Sequence, residues 1–144
     1  MELTFKGYFI RENLPQEKRK HSRIYTVYAG KIDDKFKLCF LRKLLYIGES
    51  IKIASRIQQH ERDQDWDEYL KNGEIPLFAY AEVDPENRER IEAALIYYHH
   101  NYKDLALPAN IQHKESFGYP ETYIKISGKA IKFLAKEEFW VTDN

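Results

Sequence analysis

Two segments rich in β-branched and aromatic residues, separated by a short turn, most strongly constrain the fold of this chain. The first segment, RIYTVYAGKI at 23–32, has the composition of a strand. The sequence DDK at 33–35 is typical of a turn, and FKLCFLRKLLYIG at 36–48 predicts a returning strand. The sequence therefore predicts a β-hairpin in the first half of the chain.

Two helices are predicted directly after the hairpin. Ser50 can accept a capping hydrogen bond at the start of the first helix, which runs to about His60. Ile53 and Ile57 lie four residues apart, which predicts that they share the buried face of this helix. The segment DWDEYLKNG at 65–73 predicts one short helix that ends at a glycine.

One further strand and the longest helix follow. PLFAYAEV at 76–83 predicts the strand, and the pair Asp84-Pro85 is typical of the N-terminus of a helix. Segments of strand-like composition also lie near the two ends of the chain, at 2–10 and 122–141. This order of elements predicts an α+β domain in which helices cover a small antiparallel sheet.

The composition indicates one globular domain spanning 1–144. The chain has 144 residues, of which 43% are hydrophobic and 15% aromatic, so it can bury a core and does not resemble a disordered protein. It contains no internal repeat and no low-complexity linker. The single cysteine, Cys39, excludes an internal disulfide, and no Cys/His cluster has the spacing of a zinc site.

Charged residues occur throughout the first thirty positions, so these positions lack the apolar core of a signal peptide. No stretch of the sequence approaches the length of a membrane-spanning helix. We therefore expect a soluble, cytoplasmic protein that does not bind membranes.

The formal net charge is zero at pH 7, which argues against a protein that coats nucleic acid non-specifically. The charges are nevertheless unevenly distributed along the chain. Residues 1–60 contain 13 Lys/Arg against 6 Asp/Glu, whereas residues 61–92 contain 4 against 11. The first part of the chain predicts a basic face, although an ordinary solvated surface also explains these charges.

Three potentially cationic side chains lie at four-residue spacing on the first predicted helix. Lys52, Arg56 and His60 follow directly after the sequence YIG and share one stripe of that helix. The stripe is either a solvated surface or a phosphate-binding site. In a phosphate-binding site, Arg56 would form two hydrogen bonds to the phosphate and His60 would carry or donate a proton.

Four other residues allow both a structural and a functional interpretation. Glu92 lies beside the apolar stripe of its helix and either reaches water or binds a hard cation such as Mg²⁺, which needs few protein carboxylates. Tyr25 and Tyr46 on the predicted hairpin are either packing residues or catalytic groups. Gly48 either ends the strand or permits close approach of the backbone to a ligand.

These residues occur in one order along the chain: RIY at 23–25, YIG at 46–48, Arg56, His60, Glu92 in EAALI and Asn110 in LPAN. Taken together, they resemble the GIY-YIG nuclease superfamily over about residues 23–111. The flanking sequences FKGYF and HERDQDW resemble a small, stand-alone bacterial subgroup of that superfamily.

The resemblance implies an α+β fold with a small three-stranded antiparallel sheet flanked by helices. The core would cover about residues 23–111. The flanking extensions at 1–22 and 112–144 would add short strands at both termini.

The resemblance also implies hydrolysis of phosphodiester bonds in DNA with one divalent ion, Mg²⁺ or Mn²⁺. Glu92 would bind the metal ion, and Arg56 would stabilise the charge that develops on the scissile phosphate. Tyr25 and Tyr46 would orient and help deprotonate the attacking water, close to His60. The supporting residues would be Gly48, Lys52 and Asn110.

Two residues depart from the family pattern. Arg23 stands where the family has glycine, and Glu49 stands where several family nucleases have a lysine near the catalytic water. The departures leave open a catalytically inactive nucleic-acid binding module on the same fold, or a protein-interaction domain. The short flanks favour structure-specific or weakly specific cleavage, or recognition through a protein partner or a homodimer.

Overall fold

A six-stranded mixed sheet is the main element of the fold. The structure is a computed structural model that describes residues 1–35, 37–62 and 65–143. The strands are β1 (Glu2–Phe9), β2 (Arg23–Asp33), β3 (Leu38–Ser50), β4 (Ile75–Glu82), β5 (Thr122–Gly128) and β6 (Phe139–Val141). Their order in the sheet is β3-β2-β4-β1-β5-β6, in which β1 and β5 are parallel and the other neighbours are antiparallel.

The expectation of a small three-stranded sheet with short additional strands is wrong. β1 is not peripheral, because it is hydrogen-bonded to β4 on one side and to β5 on the other. The physical reason is that a sheet ending at β4 would leave a row of backbone N–H and C=O groups without partners. β1 pairs with these groups, and β5 and β6 extend the same sheet further.

Two α-helices lie in the described residues. They are α1 (Ile53–Arg62) and α2 (Arg88–Tyr102), and 3₁₀ turns occur at Arg11–Asn13, Asp67–Tyr69 and Pro85–Asn87. The helix predicted at 65–73 is therefore only a 3₁₀ turn. Ser50 Oγ accepts a hydrogen bond from the Lys52 N–H at 2.9 Å, directly before α1 begins. Neither α-helix is long and apolar enough to cross a bilayer.

β2 and β3 pair as an antiparallel hairpin. Tyr25 lies opposite Gly48, and Val27 lies opposite Tyr46. The first residue of the predicted returning strand, Phe36, lies outside the described residues. Among the described residues, β3 pairs with no strand on its other side, so its outer backbone groups form one edge of the sheet.

The sheet separates two hydrophobic clusters, because alternate strand residues point to opposite faces. One cluster combines Ile53 and Ile57 of α1 with strand residues such as Tyr25. The other combines α2 with the opposite face, including Ile47 and Leu95. The two helices therefore pack on opposite faces of the sheet.

His99 of α2 is fully buried and belongs to this second core region. Its Nδ1–H donates to the Leu95 carbonyl at 2.8 Å, and the Ala135 N–H donates to its Nε2 at 2.9 Å. Burial lowers the pKa of His99 to about 4. A proton added to Nε2 would point at the Ala135 N–H, so the neutral ring is the form that fits the fold.

Acidification should destabilise the fold through His99. The unfolded chain binds a proton at His99 below about pH 6.5, whereas the folded chain does so only near pH 4. The stabilisation is therefore complete above pH 6.5 and is lost as the pH falls towards 4. The expected loss attributable to His99 is roughly 2 to 3 kcal/mol between pH 7 and pH 4.5.

The measurement is the free energy of unfolding in urea at both pH values for the wild type and for His99→Gln. The glutamine amide keeps one donor and one acceptor but does not titrate, so the variant should lose less stability on acidification. Equal losses in the two proteins would show that His99 does not cause the pH dependence.

Candidate active site

Gly48 allows two tyrosine rings to meet across the β2–β3 hairpin. Tyr25 lies opposite Gly48, and Tyr46 precedes Gly48 by two residues on the same face of β3. The ring centroids of Tyr25 and Tyr46 are 5.9 Å apart. A Cβ at position 48 would lie 2.5 Å from a carbon atom of each ring, so a larger residue would displace the tyrosines.

The buried imidazole of His60 continues this contact on α1. His60 Nε2 lies 3.0 Å from the Tyr25 hydroxyl, and Nδ1 forms a hydrogen bond with the Asp65 carboxylate. Because a carboxylate accepts, Nδ1 carries the proton of the neutral ring and Nε2 accepts from the Tyr25 hydroxyl. Asp65, His60 and Tyr25 thus form one hydrogen-bond chain.

Asp65 and Trp66 are site residues that the sequence analysis did not identify. The Asp65 N–H donates to the His60 carbonyl at 3.2 Å, which turns the chain back towards the imidazole after α1. Trp66 is fully buried, with its ring centroid 4.6 Å from that of His60. Both residues belong to the segment HERDQDW, whose positions 63 and 64 lie outside the described residues. Both residues lie in a turn, and a turn has no repeating sequence pattern that could have indicated a role in the site.

A groove of about 270 Å³ lies between α1, α2 and the edge strand β3. Asp65 and the segment 109–113 contribute to its lining, together with predicted site residues. The predicted residues in the lining are Tyr46, Arg56, His60, Glu92 and Asn110. Tyr25 is fully buried and does not line the groove, but it contacts two residues that do.

Lys52 was predicted as a supporting residue, but it does not line the groove. It is exposed and lines a separate cavity at the start of α1, together with Arg19 and Arg23. Arg56 lies one helical turn later and is also exposed, but it lines the groove. Among the described residues, no hydrogen bond or ion pair engages the Arg56 guanidinium, so it is available to an anion.

Asn110 fixes the edge of the groove at β3. Its Oδ1 accepts from the Ile47 N–H and its Nδ2 donates to the Ile47 carbonyl, each at 2.9 Å. The neighbouring Ala109 N–H donates to the Leu45 carbonyl at 3.1 Å. The side chain of Asn110 therefore replaces a strand at the point of β3 that carries Tyr46 and Gly48.

Glu92 of α2 contributes a largely buried carboxyl group to the groove. Burial raises the pKa of Glu92 to about 7, and repulsion by the Glu49 carboxylate adds to the rise. A hydrogen bond from the Glu49 backbone and the Arg56 guanidinium act in the opposite direction. His113 Nε2, which the sequence analysis did not identify, lies 3.8 Å from Glu92 Oε1. The carboxylate form of Glu92 would thus be stabilised by an additional cation.

Glu49 is held in an ion pair with Arg88. The Arg88 Nε–H donates to the Glu49 carboxylate, and Arg88 NH1 donates to Ser22 Oγ at 3.0 Å. The carboxylate at this position therefore has a structural partner at the start of α2. It supplies no positive charge near Tyr46.

The two tyrosines differ in their access to the groove. Burial raises the pKa of Tyr25 well above its ordinary value, and repulsion by Tyr46 adds to this rise. Burial also raises the pKa of Tyr46, followed by repulsion from Glu92, whereas Arg56 lowers both values. Both hydroxyls are therefore protonated at neutral pH. Since only Tyr46 lines the groove, its hydroxyl is the one that a bound molecule can reach.

Within residues 1–35, 37–62 and 65–143, no group of three or more His, Cys, Asp or Glu side chains is placed to hold a metal ion. The groove instead offers Glu92 as a single acidic ligand, because Asp65 binds His60. A Mg²⁺ ion that keeps several waters is compatible with one protein carboxylate. The donor set therefore fits a loosely held hard cation and not a closed structural metal site.

Comparisons with protein-family models, with curated proteins and with solved structures found no match. The resemblance to the GIY-YIG superfamily therefore stays a prediction from the ordered residues.

Loss of the Asn110 amide should destabilise the edge of the groove. Asn110→Ala leaves the buried N–H and carbonyl of Ile47 without their partners, which should cost roughly 2 to 4 kcal/mol. The measurement is urea-induced unfolding, with Gln112→Ala as the control because Gln112 is exposed two residues away. If Asn110→Ala changes the free energy of unfolding by less than about 0.5 kcal/mol, as a typical surface substitution does, this role would be contradicted.

Removal of the Asp65 carboxylate should change the tautomer of His60. In the wild type Nδ1 is protonated, whereas in Asp65→Ala we expect a population with Nε2 protonated and donating to the Tyr25 oxygen. The measurement is the pair of ring ¹⁵N chemical shifts of His60 by NMR. Asp67→Ala serves as the control, because Asp67 is an exposed carboxylate two residues away. Identical ring shifts in Asp65→Ala and the wild type would rule out the hydrogen-bond chain.

Proposed function

We propose that this chain is a metal-dependent nuclease of the GIY-YIG type that hydrolyses phosphodiester bonds in DNA. The observation that carries the proposal is that Arg56, Tyr46 and Glu92, from three different elements, line one groove. Hydrolysis of a phosphodiester requires an oriented and deprotonated water, neutralisation of the developing anion and a stabilised leaving oxygen. These three residues can supply one requirement each. The proposal includes a cytoplasmic location, where a nuclease of this type would meet cellular DNA.

Arg56 is suited to the phosphate. Its guanidinium lines the groove from α1, and the planar group can donate two parallel hydrogen bonds to non-bridging phosphate oxygens. The positive charge would be worth most in the transition state, when negative charge on the phosphoryl oxygens increases.

Tyr46 is suited to the attacking water. Of the two tyrosines, Tyr46 is the one that lines the groove. Its ring contacts the rings of Tyr25 and His60, which hold it in position. As a protonated phenol it orients the water. Proton removal becomes favourable only when positive charge offsets the burial and the repulsion from Glu92 that raise the pKa of Tyr46.

Glu92 is suited to a divalent cation. We assign it as the protein ligand of Mg²⁺ or Mn²⁺, with waters and substrate phosphate in the other positions. When bound, the cation would polarise the phosphate and stabilise the leaving oxygen. The raised pKa of the buried Glu92 carboxyl supports the assignment, because a neighbouring positive charge would stabilise its carboxylate form.

One observation favours a second function, a nucleic-acid binding module without hydrolysis. Glu49 stands where a lysine is found in several family nucleases. Its carboxylate adds to the burial that raises the pKa of Glu92, and it thereby opposes ionisation of the metal ligand. In that case Arg56 would bind a phosphate and no bond would be cleaved.

Substitution of either charged groove residue should abolish cleavage if the chain is a nuclease. With Mg²⁺ or Mn²⁺, we expect nicking of supercoiled or branched DNA by the wild type, and a loss of about 100-fold or more in Arg56→Ala and Glu92→Gln. Glu86→Gln is the matched control, because Glu86 is an exposed carboxylate in the 3₁₀ turn directly before the same helix. Thermal unfolding of each variant verifies that the fold is retained.

The outcomes separate the two functions. Metal-dependent cleavage that survives both substitutions would exclude the groove as the active site. The binding module would be selected instead if the protein binds DNA in a salt-sensitive manner but cleaves none. This test covers both metals and linear, supercoiled, branched and single-stranded DNA.

A further inference from the structure

A second, smaller cavity lies beside the first turn of α1 and shares no lining residue with the groove. Its volume is about 80 Å³. Three cationic side chains line it, Arg19 and Arg23 from the N-terminal part of the chain and Lys52 from the segment before α1. The first residues of α1, 53–55, complete one wall.

Arg23 is an unusual feature of this cavity because it is a buried cation with an incomplete set of partners. It is only 3% exposed, and its NH2 group donates to Glu17 Oε1 at 2.8 Å and lies 3.7 Å from Glu82 Oε1. Its guanidinium also lies 5.0 Å from the centroid of the Tyr80 ring. Among the described residues, no acceptor is present for its buried Nε–H. Arg23 thus adds a positive charge to the wall of the cavity, with one buried N–H donor left without a partner in the described part of the chain.

The charges around the cavity favour an anion. Glu17 is the one carboxylate in the lining, and it is already engaged by Arg23 and by His21 Nε2 at 3.0 Å. Arg19 and Lys52 are both exposed and add two positive charges. The first turn of α1 contains no acidic residue, so its backbone N–H groups and helix dipole also attract negative charge.

We propose that this cavity binds a backbone phosphate of the DNA strand whose scissile phosphate is bound by Arg56. The proposal rests on the nuclease or DNA-binding function of the groove. Lys52 and Arg56 are one helical turn apart, about 6 Å along the axis of α1. A strand that contacts both residues would run along α1 from the phosphate-binding cavity into the groove. Arg23 and Lys52 thus act in binding the strand and not in the chemical step.

The test measures binding of a fluorescently labelled single-stranded DNA of 12 nucleotides in EDTA, so that no metal-dependent cleavage takes place. Anisotropy titrations over a series of salt concentrations compare the wild type with Arg19→Ala and Lys52→Ala. Both residues are exposed, so these variants should fold, whereas substitution of the buried Arg23 would also affect stability. Lys129→Ala is the matched control, because Lys129 is an exposed lysine that lines neither cavity.

Each cavity variant should weaken binding by roughly three- to tenfold at 100 mM salt. Each should also reduce the slope of log K against log salt by about 0.7, which is the value for the loss of one phosphate contact on a single strand. Lys129→Ala should match the wild type. In ¹H–¹⁵N NMR spectra of the full chain, the amide signals of Ala54 and Ser55 should shift when the strand is added. Cavity variants with the affinity and slope of Lys129→Ala, or unshifted amide signals, would overturn the proposal.

Failure of this proposal can be distinguished from failure of the proposed hydrolysis. Binding that depends on Arg19 and Lys52, in a protein that cleaves no DNA with Mg²⁺ or Mn²⁺, supports the phosphate-binding cavity and rejects the nuclease. Metal-dependent cleavage by a protein whose binding is unaffected by both substitutions supports the nuclease and rejects the cavity.

Discussion

The contact between Tyr25 and Tyr46 above Gly48 is the constraint on which the candidate site depends. It requires one register of β2 against β3, since a shift of one residue would move a tyrosine to the opposite face of the sheet. It also requires a residue without a Cβ at position 48, because any other side chain would overlap both rings. In this register one hydroxyl is buried 3.0 Å from His60 Nε2, while the other lines the groove.

The order of strands explains why two helices on opposite faces of a sheet contribute to one groove. Residues from both faces can meet only where the sheet ends, and β3 is an edge strand. Arg56 of α1 and Glu92 of α2 line the groove at that edge. Asn110 occupies the outer backbone groups of Ile47, so this part of the edge cannot pair with another strand. The same contact holds the 109–113 segment against the groove.

Local patterns in the sequence predict the positions of most elements but not the size of the sheet. The composition predicts the hairpin, and the pair Asp84-Pro85 predicts the start of the long helix, which the structure has as α2. The pairing of β1 with β5 joins segments more than 120 residues apart, and no local pattern specifies such a partner. Lys52 lies before α1 begins at Ile53 and lines a separate cavity, so the helical spacing that predicted its position does not apply to it. Asp65 and His113 reach the site through a turn and a loop, whose conformations lack the periodicity that identifies helix and strand residues.

The most direct measurement is the rate of Mg²⁺-dependent nicking of supercoiled DNA by Tyr46→Phe, which removes only the hydroxyl at the groove. Tyr102→Phe is the control, because Tyr102 is an exposed tyrosine at the end of α2. If the Tyr46 hydroxyl orients the attacking water, the rate should fall by about 100-fold or more while DNA binding and thermal stability are retained. A Tyr46→Phe protein that nicks DNA as fast as the wild type would contradict the central role of this groove.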